Sequence, residues 1–359
     1  MSGRTFVIAE AGVNHNGRLE LGLELVAAAA AAGADAVKFQ TFRAADLATA
    51  ATPKADYQSR TTGSESQREM LARLELNEAD HRALQARAGE HGIEFMSSPF
   101  DIDSLQLLVR LGVRRLKIGS GELTNGPLLM AAGRSGLPLI LSTGMAALDE
   151  IEGALGVLAF AMTTAGDSAA PGERSFRDAY ATPRGRAALA DRVSILHCTT
   201  EYPAPVDEVN LLAIPVLAKS FGLPVGYSDH TAGSAVAVAA VAVGAVIIEK
   251  HLTIDRGLPG PDHLASIEPG AFRTMVAEIR EVERALGERR KAPGATELRN
   301  APIARKSLVA ATTIKAGSPF TAENLAVKRP GTGRSPMDYW ALLGTAARRD
   351  YAADELIDP

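Results

Sequence analysis

Residues 226–263, GYSDHTAGSAVAVAAVAVGAVIIEKHLTIDRGLPGPDH, contain one complete strand–helix–strand unit. A short run ends in Ser228-Asp229-His230, an alanine and valine segment follows with helical composition, and the apolar strand Ala245-Val246-Ile247-Ile248 ends in Glu249-Lys250-His251. Both histidines therefore stand just past a strand. In a barrel of parallel strands wrapped by helices, all strand C-termini open onto one face, and the active site forms there. On that topology His230 and His251 meet in space, with Asp229, Glu249 and Asp262 close by. Imidazoles among carboxylates suit a divalent metal. Histidines at strand ends also serve as hydrogen-bonded structural residues, and this pair lacks short ligand spacing. The rest of the chain separates the two readings.

Working outward, apolar runs alternate with alanine-rich helical segments, the pattern of repeated βα units. Strands are expected at Thr5–Glu10, Ala34–Thr41, Ile93–Ser98, Arg114–Gly119, Pro138–Thr143, Val193–Thr199, Pro224–Ser228 and Ala245–Thr253, with helices such as Leu19–Ala32, Ser104–Leu111 and Asp149–Phe160 between them. This series predicts an α/β fold, a closed (β/α)8 TIM barrel rather than a doubly wound open sheet. The length of 359 residues leaves room for such a barrel and a small second module.

With 46% hydrophobic and 22% charged residues the chain is an ordinary globular sequence. A net charge of −4 gives no basic excess to neutralise a phosphate backbone, which argues against nucleic acid as a partner. The N-terminal apolar run is too short for a signal-peptide core, and no stretch has the length of a spanning helix. A cytoplasmic protein with no membrane partner is expected. The single cysteine, Cys198, permits no internal disulfide; it lies in an apolar run and reads as a buried structural thiol.

The strand ends carry the chemistry: Glu10, Lys38 and Gln40, Ser97 and Ser98, Lys117 and Ser120, Ser142 and Thr143, Thr199, Asp229 and His230, Glu249 and His251. Alternation puts Lys38 and Gln40 on one face and Val37 and Phe39 on the other. Each polar group alone is also compatible with a solvated rim. Two lysines at strand ends suit the phosphate and carboxylate of one small anion. A Schiff-base lysine is the alternative, but that chemistry needs no metal. Glu10 and Glu122 add carboxylates at the mouth.

Two loops stand out. Asp46–Arg68, polar, long and bearing Tyr57, is expected to contribute to the mouth, and Thr163–Arg186 reads as a surface excursion. After Leu286 the charged GERRKAPGATELRNAP reads as a linker. The division expected is therefore a barrel at 1–286, a linker at 287–304 and a small module at 305–359, with β-like runs such as Ser307–Ala310.

The motifs Phe6-Val-Ile-Ala-Glu-Ala-Gly-Val-Asn-His-Asn-Gly17, Val37-Lys-Phe-Gln-Thr41, Lys117-Ile-Gly-Ser-Gly-Glu122, Leu141-Ser-Thr-Gly-Met145, Leu196-His-Cys-Thr-Thr-Glu-Tyr-Pro203, Tyr227-Ser-Asp-His-Thr231 and Glu249-Lys-His-Leu-Thr253 occur in one order along the chain. Together they resemble the sialic acid synthase family. Arg305 onward, with Ile314-Lys-Ala-Gly317 and Val327-Lys-Arg-Pro-Gly331, is similar to the antifreeze-like (SAF) module that ends those synthases. The resemblance implies condensation of phosphoenolpyruvate with an N-acetylated hexose such as N-acetylmannosamine, giving a nine-carbon α-keto acid and phosphate. It implies a divalent metal on His230 and His251, usually manganese, with magnesium or cobalt as alternatives. It further implies phosphoenolpyruvate contacts from Lys38, Gln40, Ser98, Lys117, Ser120 and Ser142, and acid–base work by Glu122. Glu10 and Asp262 match residues near the metal-bound water and the sugar hydroxyls, and Tyr202 one near the N-acetyl group. Arg329 matches an arginine delivered from a second subunit, which implies a domain-exchanged homodimer.

Thr200-Glu201 ahead of Tyr202 departs from the N-acetylneuraminate pattern, and Thr199-Thr-Glu-Tyr-Pro-Ala-Pro205 looks closer to legionaminate-type synthases. Thr200 is thus a candidate sugar contact, and the Thr163–Arg186 excursion is expected near the sugar end. Two rivals belong to other classes. A metal-dependent barrel hydrolase would have little need of two lysines. A carbohydrate-binding C-terminal module on an inactive barrel would bind its ligand without the barrel.

Overall fold

The computed structural model describes residues 3–55, 59, 62, 65–164, 170–288 and 290–359; Tyr57 lies outside them. The chain divides into two compact units, Met1–Gly287 and Glu288–Pro359.

In the first unit eight parallel strands, β1 (Phe6–Gly12), β2 (Ala36–Thr41), β3 (Glu94–Pro99), β4 (Leu116–Ile118), β5 (Leu139–Ser142), β6 (Val193–Cys198), β7 (Val225–Asp229) and β8 (Ile247–His251), follow the order β3-β2-β1-β8-β7-β6-β5-β4. β3 and β4, at the two ends of this order, lie in contact and close the barrel. The principal helices, one after each strand, are α1 (Leu19–Ala31), α2 (Glu78–Glu90), α3 (Ile102–Leu111), α4 (Gly126–Arg134), α5 (Leu148–Thr163), α6 (Ala213–Phe221), α7 (Ala235–Ala242) and α8 (Pro269–Leu286).

Local sequence explains where these helices begin and end. Asn77 caps α2 and receives Asp80 in return, Asp101 caps α3 through the Ser104 amide, and Asn125 caps α4 just ahead of Pro127. Gly112 ends α3 in the left-handed conformation that side chains resist. The outward faces of the strands and the inward faces of the helices form the main core, from Val7 and Val37 to Phe272 and Ile279.

Residues 170–186, expected near the sugar end, lie elsewhere. Glu173–Ala181 forms a helix that packs on α5, with the Phe160 and Phe176 rings 5.3 Å apart, and Pro183–Arg192 forms another. The segment runs along the outer side of α5, where Glu173, Phe176 and Tyr180 line one cavity with Leu148, Glu152 and Gly156. Among the described residues no helix is long and apolar enough to cross a membrane.

In the second unit Ala295–Ala304 is helical although its segment reads as a linker; Glu297 caps the Gly294 amide at its start. β9 (Ser307–Ala310) pairs antiparallel with β10 (Leu325–Lys328), and bridges link Val309 to Leu356 and Ile314 to Tyr351. Leu308, Ile314, Phe320, Leu325, Tyr351 and Ile357 make its core.

Candidate active site

The barrel interior is layered by the two-residue period of the strands. Ile8, Ala36, Met96, Ile140, Leu196 and Ile247 form one apolar layer. Two residues nearer the C-terminus of each strand stand Glu10, Lys38, Ser98, Ser142, Cys198 and Glu249, all buried. The chain thus switches from hydrocarbon to ionisable groups in a single step toward the mouth. Gly226 makes the lower layer possible, since a Cβ there would come within 2.5 Å of Leu196 Cδ2 and of the Ile247 carbonyl.

Two lysines and two carboxylates share that upper layer. Lys38 Nζ lies 2.6 Å from Glu10 Oε2 and 3.6 Å from Glu249 Oε2, and donates to Ser98 Oγ at 3.1 Å. Lys117 Nζ is 3.3 Å from Glu249 Oε1, which also accepts from Ser228 Oγ at 2.9 Å. Gln40 Nε2 donates to Glu10 Oε1 at 3.2 Å. Burial alone pushes Glu249 upward, but Lys117 and Lys38 outweigh it and hold the carboxylate ionised. Burial raises Glu10, which shares Lys38 with Glu249. Burial also lowers Lys117, while for Lys38 the two carboxylates outweigh burial and raise it. Two cations therefore face one firmly ionised carboxylate and one that resists ionisation. Two ammonium groups in one buried layer suit an anionic ligand.

The histidines meet as expected, with ring centroids 5.6 Å apart. Tyr202 packs against both, at 4.2 Å from His230 and 5.5 Å from His251. His230 Nδ1 donates to the Thr199 carbonyl at 2.6 Å, which leaves Nε2 with its lone pair beside Ser228 Oγ at 3.3 Å. Burial pulls His230 down to about 4 and, with the neighbouring His230, holds His251 well below its usual range, so both rings are neutral near pH 7. His251 Nδ1 is buried without a hydrogen-bond partner and lies 3.9 Å from Asp262 Oδ2. Burial lifts Asp262 to about 6. Among the described residues no three His, Cys, Asp or Glu side chains already converge as a metal centre. The histidine pair nevertheless fits a divalent cation, because neutral imidazoles are its preferred nitrogen donors and one buried ring nitrogen lacks any other partner.

Other expected residues are distributed differently. Asp229 does not join the histidines: it lies on the opposite strand face, where it takes Lys250 Nζ at 2.8 Å and the Thr231 amide and hydroxyl at 2.9 and 2.7 Å. Glu122, on the turn after β4, accepts from Asn125 Nδ2 at 2.6 Å, and burial raises its carboxyl. Ser142 is buried on the inward face of β5. Ser120 Oγ accepts from the Gly144 amide at 3.0 Å and lies 3.1 Å from Cys198 Sγ. A Cβ on Gly144 would meet Thr200 Oγ1 at 2.3 Å, so glycine lets Ser120, Thr200 and Cys198 converge. Cys198, read from the sequence as a plain core thiol, is buried but faces this site; its two-residue offset from Leu196 is the signal that reveals it. Glu249 was expected near the histidines, and its place between both lysines was missed. Arg329 belongs to the second unit, where it is exposed and its Nε donates to the Ala304 carbonyl at 3.1 Å.

Two cavities of about 670 and 650 Å³, the first beside Thr41–Arg43 and α2 and α3, the second on the outer side of α5, gather no comparable set of catalytic groups. A smaller one of about 250 Å³ opens at the mouth, lined by Gln40, Tyr202, His251 and Asp262 on one side and by apolar residues and Gln67 on the other.

Residues 25–291 match the model of the NeuB family, and residues 305–359 match the SAF domain. The chain belongs to the NeuB family. This member is 44% identical to the N,N'-diacetyllegionaminic acid synthase of Campylobacter jejuni, over 99% of each chain. It is also 44% identical to the Legionella pneumophila enzyme of the same name, over 97% of this chain and 92% of that one. Among solved structures, the N-acetylneuraminic acid (sialic acid) synthetase of Leptospira borgpetersenii, in complex with citrate, is similar at 33% identity and a TM-score of 0.67, covering 83% of this chain and 90% of that one. The barrel and the C-terminal SAF domain of this NeuB-family chain are thus those its motifs implied.

Proposed function

We propose that this NeuB-family synthase condenses phosphoenolpyruvate with an N-acylated hexose, specifically a diacetamido-trideoxyhexose, to a nine-carbon α-keto acid, with release of phosphate. The observation that carries the sugar assignment is the 44% identity, over essentially the full length, to a synthase of N,N'-diacetyllegionaminic acid. The Thr200-Glu201 pair ahead of Tyr202 is consistent with it.

Lys38 and Lys117 hold the phosphate and carboxylate of phosphoenolpyruvate, with Gln40 and the hydroxyls of Ser98, Ser120 and Ser142 around them. Glu249 keeps both ammonium groups charged and placed. His230 and His251 would hold a divalent cation, manganese in the first instance, with magnesium and cobalt as alternatives. Such an ion, when bound, supplies Lewis-acid polarisation of a carbonyl. The methylene carbon of phosphoenolpyruvate bonds to the sugar aldehyde carbon, whose oxygen takes up a proton as the new hydroxyl. Water then adds to the former enol carbon, and phosphate departs with its bridging oxygen as the ketone forms. Glu122 is the acid–base group for these later steps. Glu10 and Asp262, both lifted toward neutrality by burial, exchange protons with water and the sugar hydroxyls.

Phosphate release from purified protein should require both phosphoenolpyruvate and the sugar, with the diacetamido-trideoxyhexose used at least as well as N-acetylmannosamine. A strong preference for N-acetylmannosamine would reverse the sugar assignment. His251→Ala should lose bound metal by elemental analysis while keeping its circular dichroism spectrum.

The working unit in this reading is a cytoplasmic, domain-exchanged homodimer in which Arg329 from one protomer meets the sugar's N-acyl group in the other's mouth. A C-terminal module of this size is marginal alone, and a guanidinium donates well to an amide carbonyl. Mixing inactive Arg329→Ala and His230→Ala proteins should restore partial activity, because each hybrid then holds one complete mouth. Hybrids that form without activity would contradict the exchange.

A further inference from the structure

The mouth cavity has two chemically opposed walls. Gln40, Tyr202, His251 and Asp262 supply the polar one. Facing them are Val13, Leu47, Met70, Leu71, Leu74 and Phe100, with Gln67 and Pro261 completing the lining. These apolar residues belong to a small cluster separate from the barrel core, in which Val13, Phe42, Met70 and Leu74 are buried and Leu47, Leu71 and Phe100 pack against them.

The wall is built and fixed rather than incidental. Its centre is the short helix Gln67–Ala72, whose start is held by a capping box in which Ser66 Oγ accepts from the Glu69 amide at 3.3 Å and Glu69 Oε2 accepts from the Ser66 amide at 2.9 Å. Met70, 2% exposed, and Leu74, 7% exposed, anchor the helix. Leu47 and Leu71 are only half-buried, so they retain surface to offer a ligand.

A hexose whose aldehyde carbon lies toward His251 and Asp262 must present its far end to this hydrocarbon. Against Leu47 and Leu71 a hydroxyl would leave water for hydrocarbon, and Gln67, the polar side chain on this wall among the described residues, already has a partner, whereas a methyl group would lose only water contact. We propose that Leu47 and Leu71 determine which N-acylated hexose is accepted, by selecting sugars deoxygenated at the carbon farthest from the aldehyde. This rests on the synthase reading above and adds to it the residues that set specificity. Apolar walls discriminate against an added hydroxyl by about 10- to 100-fold, not by more, because they reject it only through desolvation.

The test compares kcat/KM for the diacetamido-trideoxyhexose and for its counterpart bearing a hydroxyl on the terminal carbon, with phosphoenolpyruvate saturating. The wild-type chain should favour the deoxy sugar by about 10- to 100-fold. Leu71→Asn and Leu47→Ser should each shrink that ratio by about tenfold, through the sugar KM and kcat, with the KM for phosphoenolpyruvate unchanged. Leu71→Met should keep the wild-type ratio. A ratio left unchanged in both polar variants, each folded and active, overturns the assignment of the wall while the synthase reading stands. Phosphate release with neither sugar overturns both.

Discussion

Glu249 and Lys250 are neighbours in sequence, both fully enclosed, and they stand in opposite kinds of ionic site. Lys250 faces the helix layer, where it meets Asp229 at 2.8 Å and the Thr231 carbonyl at 2.5 Å, and Asp229 is in turn saturated by Thr231. Every charge there has a close partner within the protein. Glu249 faces the barrel, where Lys117 and Lys38 stand off at 3.3 and 3.6 Å and its Oε2 has no hydrogen-bond partner. The first site is complete and the second is arranged for something to arrive. Buried ion pairs are weak evidence of stability in themselves, so the distinction lies in satisfaction rather than in charge. A polar cluster left short of partners in a cavity is a site; one with all its bonds made is a strut.

Substitutions can break this comparison. The largest effect is expected at the complete pair: Asp229→Ala leaves the Lys250 ammonium buried and alone, and should lower unfolding free energy by about 3–5 kcal/mol in urea denaturation. A loss below that of an ordinary surface change would mean that the pair is not structural. At the incomplete cluster, Lys117→Met should cost about 10²–10³ in kcat/KM for phosphoenolpyruvate, the scale of losing one preorganised charge-stabilising group, with the urea midpoint nearly unchanged. Loss of stability without loss of turnover would invert the assignment. The smallest effect sharpens the argument: in Asp229→Leu/Lys250→Met both charges are replaced by hydrocarbon, and stability should recover by about 1–2 kcal/mol from that of Asp229→Ala, short of the wild type because the Thr231 amide and carbonyl lose their partners.

Most of the barrel was legible because its strands are apolar runs whose polar residues collect at the C-terminal ends. Alternation within a strand was legible too, yet it was applied to Lys38 and Gln40 and not to Asp229, which was grouped with His230 by adjacency alone. The same rule, carried through β6 and β8, assigns Cys198 and Glu249 to the interior. Residues 173–181 read as a polar surface loop from composition, yet they form a helix on the outer side of α5, because Phe176 and Tyr180 give it an apolar edge that a proline- and charge-rich stretch conceals. The helix Ala295–Ala304 escaped notice because none of its residues is buried, so it lacks the apolar stripe by which helices announce themselves. The apolar wall of the mouth was the least readable part. Leu47 and Leu71 are far apart in a polar stretch, and only the tertiary fold brings them to one cavity.

The central claim is that this mouth joins two molecules rather than hydrolysing one. Supplying fully ¹³C-labelled phosphoenolpyruvate with unlabelled diacetamido-trideoxyhexose, and following the label by mass spectrometry, tests it directly. The account predicts that all the labelled carbon appears in a single α-keto acid whose mass is that of the sugar plus pyruvic acid, formed in step with phosphate. Labelled pyruvate beside an unchanged sugar would contradict it.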